Sequence, residues 1–233
     1  MNKTIMTLLL CGIFGITHSH ADILFVDSFE TPVTTATTHS ETGGTPANWN
    51  RSSSTLVEIL SDTASDGNQS LFLRDDPRWA NQKTAVTITG GGDLLFTFDW
   101  KVDSSVEIND KFTFKVDFGQ GDGYQTVLTD AGVPDGTIST YSGTTIAIGA
   151  PATGSYSNPN WMSYAITVPE SYYAGTLSAT TFQMRFETAT GSPGEYSHLD
   201  NITVSTIPEP SSVILVLSGM AALFGVRRFN SRK

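Results

Sequence analysis

The chain contains one cysteine, Cys11. It lies in an apolar run near the N-terminus. Once that run is removed, nothing remains for a disulfide, a reactive thiol or a Cys-based metal site. Cationic residues are scarce too, with 13 Lys and Arg against 23 Asp and Glu and a formal charge of −10. A surface of that sign repels phosphate backbones and anionic lipid, which excludes nucleic acid as the principal ligand. Of four histidines, His18 and His20 sit in the N-terminal segment. That leaves His39 in a Thr/Ser-rich stretch and His198 near the end, so neither a zinc-ligand cluster nor a Ser-His-Asp grouping is evident. Between the termini no segment carries a helical hydrophobic period.

What is present at the two ends reads as targeting. Lys3 precedes an apolar run from Ile5 to Ile16, and Ser19-His20-Ala21 puts small residues at both recognition positions of a signal-peptidase site. Residues 1–21 therefore read as a signal peptide, with Asp22 as the new N-terminus. Leu10 stands where a lipobox needs a small residue, which argues against lipidation of Cys11. At the other end, Pro208-Glu209-Pro210 is followed by the apolar stretch Val213 to Val226 and then by Arg227, Arg228, Arg232 and Lys233. Cationic side chains resist translocation and hold that end in the cytoplasm. Val213 to Val226 covers 14 residues, roughly 21 Å of helix against a hydrocarbon core of about 30 Å. That is short for a permanent span, although a plain C-terminal anchor is the simpler alternative to a processed one.

In order and spacing, residues 208–233 resemble the PEP-CTERM sorting signal of Gram-negative bacteria. Pro208, Glu209, Pro210, Arg227 and Arg228 carry the resemblance. It implies export through the inner membrane, recognition by an exosortase-type membrane enzyme, removal of the tail near the motif, and a final place at the cell surface or in the extracellular matrix.

Residues 22–207 make one domain. Without Lys3 and the four C-terminal cations it keeps 8 of the 13 basic residues, and without Glu209 it keeps 22 of the 23 acids, a charge near −14. Such a domain is soluble and tolerates or binds divalent cations. Its hydrophobic period is two. Phe96, Phe98, Trp100 and Val102 alternate with Thr97, Asp99 and Lys101. Phe112, Phe114, Val116 and Phe118 alternate with Thr113, Lys115 and Asp117, and Phe182, Met184 and Phe186 with Gln183 and Arg185. Further strands are expected at Ile23 to Phe29, Leu56 to Leu60, Ser70 to Leu73, Thr84 to Thr89, Gln125 to Leu128, Thr144 to Ile148, Trp161 to Val168 and Leu199 to Val204. Turns such as Asp66-Gly67, Gly90-Gly91-Gly92 and Gly121-Asp122-Gly123 separate them. The expected fold is all-β, a two-sheet antiparallel β-sandwich of jelly-roll kind.

Four landmarks sharpen this. Phe29-Glu30 ends the first strand, Trp49 follows, Gly67-Asn68-Gln69-Ser70-Leu71-Phe72-Leu73 enters a strand, and Leu199-Asp200-Asn201-Ile202-Thr203-Val204 closes the domain. In that order they resemble the jelly rolls of carbohydrate-binding modules and of MAM and laminin-G-like domains. Asp200 shares strand parity with Ile202 and Val204, so it is expected to face the core, where a carboxylate needs a partner. The resemblance implies a structural Ca2+ held by Glu30, Asp66, Ser70 and Asp200, oxygen donors suited to a hard cation. The alternative is that Asp200 caps backbone amides and Glu30 is solvated. Asp117 and Asp122 around Gly121 form a second acidic loop, for which an ordinary hairpin is the favoured reading.

Catalysis is poorly supported. A glycosidase needs two facing carboxylates, and the acids here are scattered, so a hydrolase would require a pair from distant strands. Sugar rings instead stack on exposed aromatic faces, and Trp79, flanked by Arg78 and Asp76, is the best candidate; its alternative is a lid over the sandwich edge. Trp100 and Trp161 read as core. The expectation is a secreted, non-catalytic protein associated with an extracellular polysaccharide. A purely structural or adhesive matrix protein without a sugar site is the competing reading.

Overall fold

Period-two alternation sends Phe96, Phe98 and Trp100 to one side of a strand and Thr97, Asp99 and Lys101 to the other, and the fold buries many such apolar sides against one another. The computed structural model describes residues 21–32, 34, 44–53, 56–74, 78–102, 111–119, 121, 123–131, 161–189 and 195–207. They contain twelve strands: β1 (Ile23–Asp27), β2 (Trp49–Arg51), β3 (Val57–Leu60), β4 (Ser70–Arg74), β5 (Arg78–Gln82), β6 (Val86–Thr87), β7 (Asp93–Val102), β8 (Lys111–Asp117), β9 (Gln125–Ala131), β10 (Met162–Val168), β11 (Thr181–Ala189) and β12 (Tyr196–Ile207). The first sheet runs β10-β7-β12-β4-β3, with β1 added to β12; the second runs β2-β5-β11-β8-β9, with β6 added to β11. Every pairing is antiparallel. This is the expected two-sheet jelly-roll sandwich.

The core lies between the sheets and is rich in aromatics. Phe98 packs on Tyr164 at 5.3 Å and Phe114 at 5.3 Å, and Phe114 packs on Phe186 at 4.9 Å, all four buried. Trp100 stacks on Phe112 at 3.9 Å. Offset and tilted ring pairs of this kind add to the burial term. The chain enters this core through Phe29, held at a φ of 58°. Asp27 supports that turn: its Oδ1 accepts from Phe29 N at 2.9 Å and its Oδ2 from Trp49 Nε1 at 2.9 Å.

Some expectations needed adjustment. β2 and β5 were not anticipated, because Trp-Asn-Arg and Arg-Trp-Ala-Asn-Gln lack apolar alternation. Of Thr84 to Thr89 only Val86–Thr87 is strand, and Thr144 to Ile148 lies outside the described residues. A π-helical turn, Ser171–Thr176, was also not foreseen. It places Tyr173 Oη 2.6 Å from the Gly92 carbonyl, to which it donates, while Glu170 Oε2 accepts from Gly92 N at 2.7 Å. Burial, then Glu170 and Asp93, push the Tyr173 phenol up to about 12. Trp161 is not core: it is half-buried and meets His198 on the outer side of the first sheet.

The most consequential correction concerns Asp200. β12 carries a bulge between Asp200 and Thr203, with Asn201 at a φ of 52°. The extra residue resets the alternation. Leu199, not Asp200, joins Ile202 and Val204 in the core. Asp200 pairs with Asp99, whose neighbours Phe98 and Trp100 point inward, so both aspartates stand on the outer face of the first sheet.

Candidate functional site

Between β3 and β4 the chain from Ser61 to Gln69 doubles back over that outer face, where its backbone donors find acceptors. Asp200 Oδ2 accepts from Ser65 N at 2.8 Å and Asp66 N at 3.0 Å, and its Oδ1 from Asn201 N at 2.7 Å. Glu30, at the end of the first-strand turn, accepts from Asn68 N at 2.9 Å and Gln69 N at 3.0 Å through Oε1. Ser65 Oγ donates to Asp99 Oδ2 at 2.7 Å. Three carboxylates from three distant segments thus hold one loop. Gly67 makes the close approach possible: its φ is +70°, and a Cβ there would lie 2.4 Å from Glu30 Oε1.

Asp200 is fully buried. Burial pushes its pKa up to about 6, the three backbone donors pull against that, and the charge of Glu30 adds to the rise. Glu30 and Asp99, its partner in register, make the neighbourhood acidic. Glu30 and Asp200 are brought to the same loop, as a cation cradle requires, and a hard cation would offset their repulsion. Asp66 contributes its amide, and its side chain is exposed. Ser70 is directed elsewhere, its Oγ donating to the Thr63 carbonyl at 2.7 Å and lying 3.0 Å from His198 Nδ1. Among the described residues no group of three or more His, Cys, Asp or Glu side chains could hold a metal. The loop turns amides toward both carboxylates, so Asp200 caps backbone donors as in the alternative reading, and the side chains fit a cation only in part.

Beside this loop His198, buried, has its Nε2 3.6 Å from Asp62 Oδ2. Burial, then Lys101, hold its pKa down to about 3. Ser70, His198 and Asp62 form a chain with the composition of a catalytic triad, but Ser70 is fully buried and Asp62 exposed. A nucleophile must be reachable, so the order is wrong for catalysis. The Asp99–Asp200 pair is likewise covered by the loop it anchors.

A second surface lies on the outer face of the second sheet. Ala80 and Gln82 point inward and are buried, so Trp79 and Asn81 point outward. Arg185, on the neighbouring β11, sets its guanidinium 5.1 Å from the Trp79 ring centroid and 5.7 Å from that of Tyr124. Glu187 Oε2 is shared, 2.9 Å from Lys115 Nζ and 3.1 Å from Arg185 Nε. The arginine contact lies off the hydrogen-bonding direction, since Arg185 Nε is buried without a hydrogen-bond partner. Asn81 stands opposite Arg185 in register, and its Oδ1 is also buried without a partner. Burial, then Asp117, raise the Tyr124 pKa, against the pull of Arg185. Arg78 shares the parity of Ala80, so it serves the opposite face from Trp79; Asp76 lies outside the described residues. Arg185, Tyr124, Glu187 and Lys115 were not singled out from sequence. The signal for Lys115, Arg185 and Glu187 was the outward parity of strands whose apolar residues alternate.

No family model matches the chain, and no curated protein does. Among solved structures it is similar to the TmCBM61 module in complex with β-1,4-galactotriose, at 12% identity and a TM-score of 0.43, covering 69% of this chain and 90% of that one. It is also similar to the K1 cleaved adhesin domain of Lys-gingipain from Porphyromonas gingivalis W83, at 12% identity and a TM-score of 0.47, covering 81% and 99%. A third similar structure is the Stig cyclase Fisc from Fischerella sp. TAU, at 10% identity and a TM-score of 0.49, covering 81% and 99%.

Proposed function

We propose that the protein is a non-catalytic, exported surface or matrix protein that binds an extracellular polysaccharide through the outer face of its second sheet. One observation carries this reading. Trp79, Arg185 and Tyr124 form an aromatic–cation–aromatic row on that face, with Asn81 opposite Arg185 in register. A sugar offers a C–H face to the rings and hydroxyls to polar groups exposed beside them. The charges of Lys115, Arg185, Glu187 and Asp117 cancel, which favours a neutral glycan. Residues 1–21 direct export, and residues 208–233, which lie outside the described residues, deliver the domain to an exosortase-type enzyme.

Ca2+ is the cofactor of this reading, held by Glu30, Asp200 and backbone oxygens of the 61–69 loop. When bound it supplies charge neutralisation and loop rigidity. Glu30 and Asp200 orient the loop through its amides.

The test is a glycan screen of the full chain and of Trp79→Ala and Asn81→Ala. Binding to a neutral polysaccharide, weakened about five-fold or more by either substitution, is expected, since a lost stacking or hydrogen-bonding contact is worth about 1 kcal/mol or more. Concentration-dependent self-assembly with no glycan binding would replace this reading with the structural matrix one.

A further inference from the structure

Among the described residues, the exposed large hydrophobic side chains are Ile23 at 68%, Val26 at 55% and Ile207 at 39%. They come from opposite ends of the domain yet share one surface. β1 and β12 are paired, with Ile23 opposite Ser205 and Val26 opposite Thr203. A bulge between Ile23 and Phe25 turns both Leu24 and Phe25 onto the core, which leaves Ile23 and Val26 pointing away from it. On β12, Ile202, Val204 and Thr206 are buried, so Thr203, Ser205 and Ile207 face out with them. The arrangement is stapled: Asp22 N donates to Thr206 Oγ1 at 3.0 Å, and Thr206 N to the Asp22 carbonyl at 2.9 Å. Residues two apart along a strand, or diagonal across a pair, are about 7 Å from one another, so the three side chains form one patch.

The patch sits where the domain hands the chain to its tail. Five residues, 208–212, separate Ile207 from the apolar stretch beginning at Val213, at most about 18 Å of extended chain. A tether that short keeps the exit strand close to whatever the apolar stretch enters, and three aliphatic side chains beside that exit suit hydrocarbon and the glycerol region of a bilayer. The charge near −14 of residues 22–207, with Asp22 and Asp27 on β1 and just before it, points to a zwitterionic rather than an anionic lipid surface. We propose that, while the tail is in place, the Ile23–Val26–Ile207 face rests on a zwitterionic lipid surface. This rests on the reading of Val213 to Val226 as a membrane segment. The second sheet's outer face belongs to the other layer of the sandwich, so docking here leaves the proposed glycan face uncovered.

The test uses the processed chain from Asp22 to Lys233, which has no cysteine, reconstituted in phosphatidylcholine vesicles, with an environment-sensitive fluorophore on Val26→Cys or, as reference, on Lys83→Cys. Co-flotation with vesicles reports the tail. Nitroxide-labelled phosphatidylcholine reports the patch. The expected result is flotation of both, with the label at position 26 blue-shifted and quenched several-fold more than that at 83. Adding Ile23→Asp should lower the quenching at 26 without releasing the protein. Flotation with equal, weak quenching at both positions overturns the docking and leaves the tail reading intact. Absence of flotation overturns both. Energy transfer between copies that survives dilution into excess lipid assigns the patch to a second copy and also overturns the proposal.

Discussion

Lowering the pH in the presence of a chelator should leave the domain's stability nearly flat where a buried histidine would otherwise make it fall. Asp200 has a folded pKa of about 6 against an ordinary 3.8. Between those values the folded state holds the extra proton, so Asp200 adds stability as the pH falls, about 3 kcal/mol in full and about 2 kcal/mol by pH 4.5. His198 has the opposite sign. Its folded value of about 3 lies below an ordinary 6.5, so the unfolded state takes the proton first and stability is lost as the pH falls, about 2.5 kcal/mol between pH 7 and 4.5. The two residues nearly cancel over that interval. Asp200→Asn removes the gain and should unmask the loss, so the variant falls about 2 kcal/mol further than the parent between pH 7 and 4.5. Its amide also meets the Asn201 N–H, but that cost does not vary with pH, and the difference in slope is the readout. Urea denaturation at half-unit pH steps measures it. Saturating Ca2+ should steepen the parent's slope as the substitution does, by keeping Asp200 ionised. Parent and variant with the same slope under chelation would refute the raised Asp200 pKa.

Gly67→Ala should destabilise by about 1–3 kcal/mol, because a left-handed backbone and a displaced Glu30 carboxylate act together; a thermal midpoint unchanged within a degree would contradict the close approach. Phe114→Ala, which empties the centre of the aromatic core, should cost about 3–5 kcal/mol in urea. Ca2+ at a hundred times its dissociation constant should add about 2.7 kcal/mol, which calorimetry would read as a rise of about 5–10 °C lost on adding chelator or on Asp200→Ala. An unchanged midpoint would remove Ca2+ from the proposal.

Most of the fold was legible because a half-buried strand must alternate, and Phe96 to Val102, Phe112 to Phe118 and Phe182 to Phe186 do so without interruption. β2 and β5 were illegible for the same reason: Trp49–Arg51 is too short to show a period, and Arg78–Gln82 buries Ala80 and Gln82 and not a row of aliphatics. The cradle was half legible. Glu30 and Asp200 were singled out and meet at one loop, while Ser65 and Asp99, which complete the hold on it, gave no local sign.

Period and composition alone determined that this chain is an acidic β-sandwich whose folded domain has no thiol to lean on, since both follow from counting residues along the chain. Register and the bulge were tertiary decisions. Asn201 adopts a left-handed φ because Leu199 and Ile202 must both reach the core, and that single reset moved Asp200 from the interior to the outer face, opposite Asp99 and beneath Ser65. The same logic assembled Trp79, Arg185 and Tyr124 from three separate segments. Side chains on different strands become neighbours only when the sheet fixes which residue stands opposite which, and no local pattern encodes that pairing.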